Sequence, residues 1–224
     1  MLENENQAFA RKVLPFWDKL SAQEQALILS NAAPVRYRRG ENIHSGENDC
    51  VGILLIKSGA LRTYILSEDG REITLFRLAE GDVCVLSASC ILKSITFDVH
   101  IDAERDSEVL LINSAVFQQI CNKNIYAENF SNKIVVDRFS DVMWAMQQLL
   151  FMSFDKRLAI FLLDEVSKSG SDSISLTHEQ IANYVGSARE VVSRMLKYFE
   201  NEGFVKLSRG SVTVIDKKRL RSLT

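Results

Sequence analysis

Proline is nearly missing from this chain: there are 2 in 224 residues, with 10 glycines, and no low-complexity tract or short-period repeat. With an apolar share of 46%, that composition excludes a disordered or fibrous chain and leaves core enough for one large or two modest domains. No apolar run reaches the roughly 20 residues of a membrane-spanning helix, so no membrane partner is expected. The opening MLENENQAFARK is polar and acidic, unlike a secretion signal, and predicts a cytoplasmic protein. Cys50, Cys84, Cys90 and Cys121 are widely spaced and form neither a zinc-ribbon pair nor a thioredoxin-like pair, so no metal site is expected from them. Only 3 histidines occur, in different elements, and His-Glu-x-x-His, Gly-x-Ser-x-Gly and the P-loop are all missing. These absences argue against an enzyme.

Net charge is -2, so the chain is not basic throughout, but the charge is unevenly placed. Residues 155–224 hold 12 Lys/Arg against 9 Asp/Glu, a net of +3; the remaining residues hold 15 against 20, a net of -5. The basic end is the one suited to phosphates.

Along the chain, residues 8–30 read as helix, with Phe9, Val13, Phe16, Leu20 and Leu27 at helical spacing. Short β-like runs follow over 51–56, 61–66, 72–78, 96–101 and 109–112, separated by glycine turns, which predicts an antiparallel barrel or jelly roll. Residues 126–152 contain no Gly or Pro and carry a long amphipathic stripe. Val135, Phe139, Val142, Met146 and Leu149 are expected to pair two copies of this helix in parallel. The alternative is that the stripe packs on its own β-domain. A hinge is expected at Phe154-Asp155, then a helix over 156–168, a serine-rich loop, a short strand, two helices and a hairpin.

The chemistry concentrates in the last third. Thr177 with Gln180 has capping-box spacing and opens a first helix; Gly186 allows a sharp turn. The second helix turns Val192, Leu196 and Phe199 inward and Ser187, Arg189, Glu190, Ser193, Arg194 and Lys197 outward, the helix-turn-helix pattern. Arginine can donate twice to guanine, glutamate can accept from cytosine, and serine can do either, so this face suits reading the major groove of double-stranded DNA. A solvated helix with a Glu190–Arg194 pair is the plainer alternative. The hairpin beyond Gly203 forms a wing whose tip residue, Arg209, is placed to meet a phosphate. The Lys217-Lys218-Arg219 run reads as a solvated end.

The whole pattern resembles the Crp/Fnr family of bacterial regulators, above all in LTHEQIANYVGSAREVVSRMLKYFENEGFVKL over 176–207, and less specifically in Gly40-Glu41, Gly46, Gly59-x-Leu61 and Gly81-Asp82. The resemblance implies an α+β architecture: a double-stranded β-helix (jelly-roll) sensor domain over 1–125, a dimerisation helix and hinge over 126–153, and a winged helix-turn-helix over 154–224. It implies a homodimer on a two-fold symmetric operator with TGA-type half-sites, base reading by Arg189, Glu190, Ser193 and Arg194, a phosphate contact by His178, and contact with RNA polymerase. Val191 stands where the family often has threonine.

The sensor domain departs from the family's nucleotide binders. Val85-Leu86-Ser87 stand where Gly-Glu-Leu would hold a ribose, Phe97-Asp98 where Arg-Ser would clamp a phosphate, and Val142-Met143 where a polar pair would touch adenine. Cyclic AMP and cyclic GMP are therefore not expected, and no cysteine precedes Cys50 to hold an iron–sulfur cluster of the Fnr type. Cys84, Leu86, Cys90, Phe97, Val142 and Met143 mark the expected effector pocket. Cys84 and Cys90, with His100, could sense redox, haem or metal, or could be buried packing residues. A small apolar effector is a third option, and a regulatory subunit without DNA is the competing function.

Overall fold

The computed structural model describes residues 2–46, 51–85 and 98–224. These divide into two compact units, 1–66 with 75–142, and 67–74 with 143–224.

The N-terminal unit opens with α1 (Leu2–Val13), a short 3-10 turn (Trp17–Lys19) and α2 (Ala22–Ser30), not with the one helix expected over 8–30. Pro15 has no N–H to give a continuing helix, and Ser21 starts a new one through a capping box with Glu24. Strands β1 (Ala32–Tyr37), β2 (Asn42–Ser45), β3 (Ile53–Ser58), β4 (Ala60–Leu66), β5 (Glu72–Ala79), β6 (Val83–Cys84), β7 (His100–Ala103) and β8 (Ser107–Ile112) form two four-stranded sheets, ordered β1-β8-β3-β6 and β2-β7-β4-β5. The pairings described are antiparallel, with Ala32 opposite Ile112 and Leu61 opposite Ala103.

Strand β3 is the hinge of the packing. Ile53 and Leu55 face a cluster with Leu14, Trp17, Ile28, Phe117 and Ile120 from the helices. Leu54 and Ile56 face the opposite way, into the roll, against Leu61, Phe76, Leu78, Cys84 and Ile101. A strand buried on both faces reads as a continuous apolar run, which is why VGILLI does not alternate. Gly59 turns β3 into β4 at φ +90°; a Cβ there would lie 2.2 Å from Ser107 Oγ and 2.5 Å from Asp106 O, so no other residue fits. Asn113 caps α3 (Ser114–Lys123), and the Asn124 side chain accepts from the first amides of α4 (Ile125–Phe151).

The C-terminal unit contains α5 (Phe154–Ser169), β9 (Ser173–Ile174), α6 (His178–Val185), α7 (Arg189–Asn201), β10 (Val205–Ser208), β11 (Ser211–Val214) and α8 (Lys217–Arg221). Phe154 and Asp155 open α5 rather than standing outside it, with Ser153 at the N-cap. The three strands pair in the order β10-β11-β9. Leu158, Leu162, Ile181, Val192, Leu196 and Phe199 are fully buried together, each contributing about 1.5–3 kcal/mol by leaving water.

Candidate DNA interface

Helix α6 begins as its sequence dictates. The Thr177 hydroxyl accepts from the Gln180 amide at 3.2 Å, and the Gln180 side-chain oxygen accepts from the Thr177 amide at 2.9 Å. It ends at Gly186, φ +62°, where the Ser187 amide donates back to Ala182 O at 3.0 Å. This fixes the half-buried Ser187 in the turn. Arg157 of α5 donates to Val185 O at 3.0 Å, placing a cation at the negative end of α6; burial lowers its pKa.

Helix α7 starts at Arg189, with Ala188 as N-cap. Val192, Leu196 and Phe199 are buried, and the inward stripe holds the opposite face outward. Arg189, Glu190, Arg194 and Lys197 are all exposed. Among the described residues no ion pair ties Glu190 to Arg194, and neither these two nor Arg189 has a side-chain hydrogen bond, so three groups stand free on the first turns. Lys197 differs: it donates to Glu200 at 2.7 Å, and Glu200 also accepts from the Leu207 amide at 3.0 Å. Those two donors hold the Glu200 carboxyl below the usual range, and the bridge ties α7 to β10.

One contact joins the two helices at this face. His178, the first residue of α6, has Nδ1 2.8 Å from Ser193 Oγ on α7. Both are half-buried. Arg209 is exposed in the turn between β10 and β11. The basic run beyond it is not a loose end: Asp216 caps α8, Lys217 pairs with Asp172 at 2.5 Å, and Arg219 donates to Glu202 O with its guanidinium 4.6 Å from the Phe204 ring.

In the N-terminal unit, Cys84 is buried in the apolar interior of the roll and Val142 packs against the same cluster. Met143, expected beside it, is 40% exposed. Leu86, Cys90 and Phe97 lie outside the described residues, and Asp98 is exposed. His100 stacks on the Tyr64 ring at 5.3 Å, and among the described residues no group of three His, Cys, Asp or Glu side chains could hold a metal. The sequence reading missed Arg138, one turn before Val142, whose guanidinium lies 5.0 Å from the Phe76 ring and donates to Asp141 at 2.7 Å. The four-residue spacing that puts both on one helix face was the available signal.

Helix α4 carries two apolar stripes. Ile134 and Val135 pack into the helix-side core, and Val142 into the roll. Leu149 faces Gly186, within the C-terminal unit. Val136, Phe139, Met143, Met146 and Leu150 are exposed at spacings of three and four, with Trp144 and Phe151 beside them. Of the five residues expected to pair two helices, Phe139 and Met146 lie on this outer stripe. Val135 and Val142 pack on the N-terminal unit's own cores, because a helix pressed on a β-domain must bury one side there, and Leu149 packs at Gly186 instead.

A family model described as a Crp-like helix-turn-helix domain matches residues 156–223, and one described as a cyclic nucleotide-binding domain matches residues 34–124. A solved structure assigned to the crp/fnr family of transcriptional regulators, from Eubacterium rectale ATCC 33656, is 49% identical, with a TM-score of 0.90 over 93% of this chain and 97% of its own. FixK2 from Bradyrhizobium japonicum shares the fold at 21% identity and a TM-score of 0.68, over 86% of this chain and 96% of that one. The transcriptional regulatory protein btr of Bordetella pertussis is 24% identical over 84% of this chain and 80% of its own length. The chain belongs to the Crp/Fnr family: it is a transcription regulator, not an enzyme, with a helix-turn-helix DNA-binding domain at its C-terminal end.

Proposed function

We propose that this regulator binds DNA as a homodimer on a two-fold symmetric operator with TGA-type half-sites about one helical turn apart. The observation that carries the reading is the free trio Arg189, Glu190 and Arg194 on the first exposed turns of α7, braced by buried Val192, Leu196 and Phe199. Arg189 and Arg194 donate to guanine, Glu190 accepts from cytosine, and Ser193 completes the base contacts. Thr177, His178, Ser187 and Arg209 meet the backbone, where they set register and not sequence. Lys197 supplies charge from within its bridge to Glu200. The partner helix seats against Val136, Phe139, Met143, Met146 and Leu150. Working on chromosomal DNA places the protein in the cytoplasm, beside RNA polymerase.

The effector we propose is not a cyclic nucleotide. The described core of the roll is mostly apolar, with Phe76, Leu78 and Cys84 packed in it, while His44, Arg62 and Thr63 are buried on its strands and Arg138 lies over the Phe76 ring. Those surroundings suit a small apolar or aromatic molecule with at most one anionic group. A buried Cys84 favours packing over sensing.

The test is selection of binding sites from a random duplex pool, repeated with Arg194→Ala and Glu190→Ala. A symmetric site should emerge, its affinity falling with salt, and each variant should lose roughly 1–3 kcal/mol of discrimination at its own base pair. Enrichment of no site under any salt or redox condition, with the variants indistinguishable from the parent, refutes the reading.

A further inference from the structure

His178 and Ser193 were expected to act separately, one on a phosphate and one on a base. Their 2.8 Å contact makes them a unit. A neutral imidazole has one N–H and one lone pair, so the two ring nitrogens hold opposite roles. Nδ1 is taken by Ser193, which leaves Nε2 as the nitrogen available to a ligand. A phosphate oxygen can only accept, so an Nε2 that meets one must carry the proton. In the neutral ring Nδ1 then has only its lone pair, and it accepts from the Ser193 hydroxyl. Ser193 has one hydrogen to give. Once that hydrogen points at Nδ1, the oxygen can offer the DNA only lone pairs.

We propose that His178 is a specificity-setting positioning residue: by binding a backbone phosphate through Nε2 it fixes the Ser193 hydroxyl as an acceptor, so that Ser193 selects a base with an exocyclic amino group. Serine by itself reads either sense and discriminates poorly. Held by His178, it accepts from adenine N6 or cytosine N4 and rejects thymine and guanine, whose facing groups O4 and O6 are acceptors. The phosphate contact thereby takes part in sequence reading, which phosphate contacts ordinarily do not. The inference rests on the proposed reading of α7.

The experiment is competition binding of the full-length protein to symmetric duplexes that differ at one half-site position at a time, for the parent, Ser193→Ala, His178→Ala, His178→Asn and the double Ala variant. Melting curves confirm that each variant folds. One position should prefer A or C over T or G on one strand by roughly tenfold in the parent, the worth of one good hydrogen bond. Ser193→Ala and His178→Ala should each abolish that preference, and the double variant should lose no more than either alone. His178→Asn, which keeps an acceptor oxygen at the δ position, should restore a large part of it. The proposal is overturned if His178→Ala weakens all duplexes equally while the preference survives, or if the preference is for T or G. Loss of base preference in Arg194→Ala and Glu190→Ala tests the reading of α7 itself; if those preferences stand and the Ser193 position shows none, only the His178 proposal fails.

Discussion

Replacing Phe139 with alanine tests the outer stripe of α4 directly. Phe139 is 64% exposed within a single chain, which leaves it for the proposed partner helix to cover. Full burial of a phenylalanine is worth about 1.5–3 kcal/mol, so covering the exposed part yields about 1–2 kcal/mol per protomer. A two-fold interface uses each residue twice, which makes the loss on substitution about 2–4 kcal/mol per dimer. At 1.4 kcal/mol per tenfold, the dimer dissociation constant should rise roughly 30- to 700-fold.

Sedimentation equilibrium over a concentration series reads that constant. Val135→Ala is the matched control. Val135 packs into the helix-side core of its own unit, so its loss should cost roughly 1–2 kcal/mol of folding stability and leave the dimer constant nearly unchanged. An unchanged constant for Phe139→Ala, or a Val135→Ala effect on dimerisation as large, would falsify the assignment of the stripe.

Other outcomes follow from local chemistry. Thr177→Ala removes the hydroxyl that accepts from the Gln180 amide, while its own backbone N–H can still donate to the Gln180 side chain, and should cost about 1 kcal/mol in chemical denaturation, with Thr177→Ser near parent stability; equal losses in the two would sink the capping account. Burial, reinforced by Glu128, pushes the Cys121 thiol up to about 11, so at pH 8 iodoacetamide should label it about 100-fold more slowly than an ordinary thiol, read by peptide mass spectrometry; fast labelling would contradict its burial. Lys57 and then Arg36 hold the Glu108 carboxyl below its usual range, and Glu108 raises Lys57. The Glu108 contribution is therefore full above the usual carboxylate range and is lost as pH falls through its lowered value. The Lys57 contribution is full below the usual lysine range and is lost as pH rises through the raised value. Lys57→Ala should be less stable than the parent near neutrality, with the gap closing on acidification; a gap constant with pH would refute this.

The roll was legible where its strands are long and apolar. The run 51–56 and the glycine after β3 announced themselves, because burial on both faces leaves little choice of residue. Strands β1 and β2 did not. Pro34, Arg36 and His44 interrupt the apolar pattern, and among the described residues β1 pairs only with β8, so its sequence answers more to water than to a core. The N-terminal helices looked like one because α1 and α2 each turn an apolar side to the same cluster, and periodicity records that side without recording the break at Pro15.

The reading head was legible because its constraints are local: a capping box spanning four residues, one glycine in the left-handed region, and a buried stripe within thirteen residues of helix. The His178–Ser193 contact was not, since 15 residues and a turn separate the pair, and only the crossing of α6 over α7 brings them together. Helix α4 posed a different difficulty. Its sequence shows that Val135, Val136, Phe139, Val142, Met143 and Met146 are apolar, but a helix with two apolar stripes offers two solutions. Either stripe can face the chain's own core, and hydrophobicity ranks them equally. The choice is made by shape, where Ile134 and Val135 meet the helix-side core and Val142 meets the roll. Once those are spent inward, the residues left outside fall at 136, 139, 143, 146 and 150, a strict three-four alternation. That is the spacing of a seam between two paired helices, and it becomes visible only after the other stripe has been subtracted.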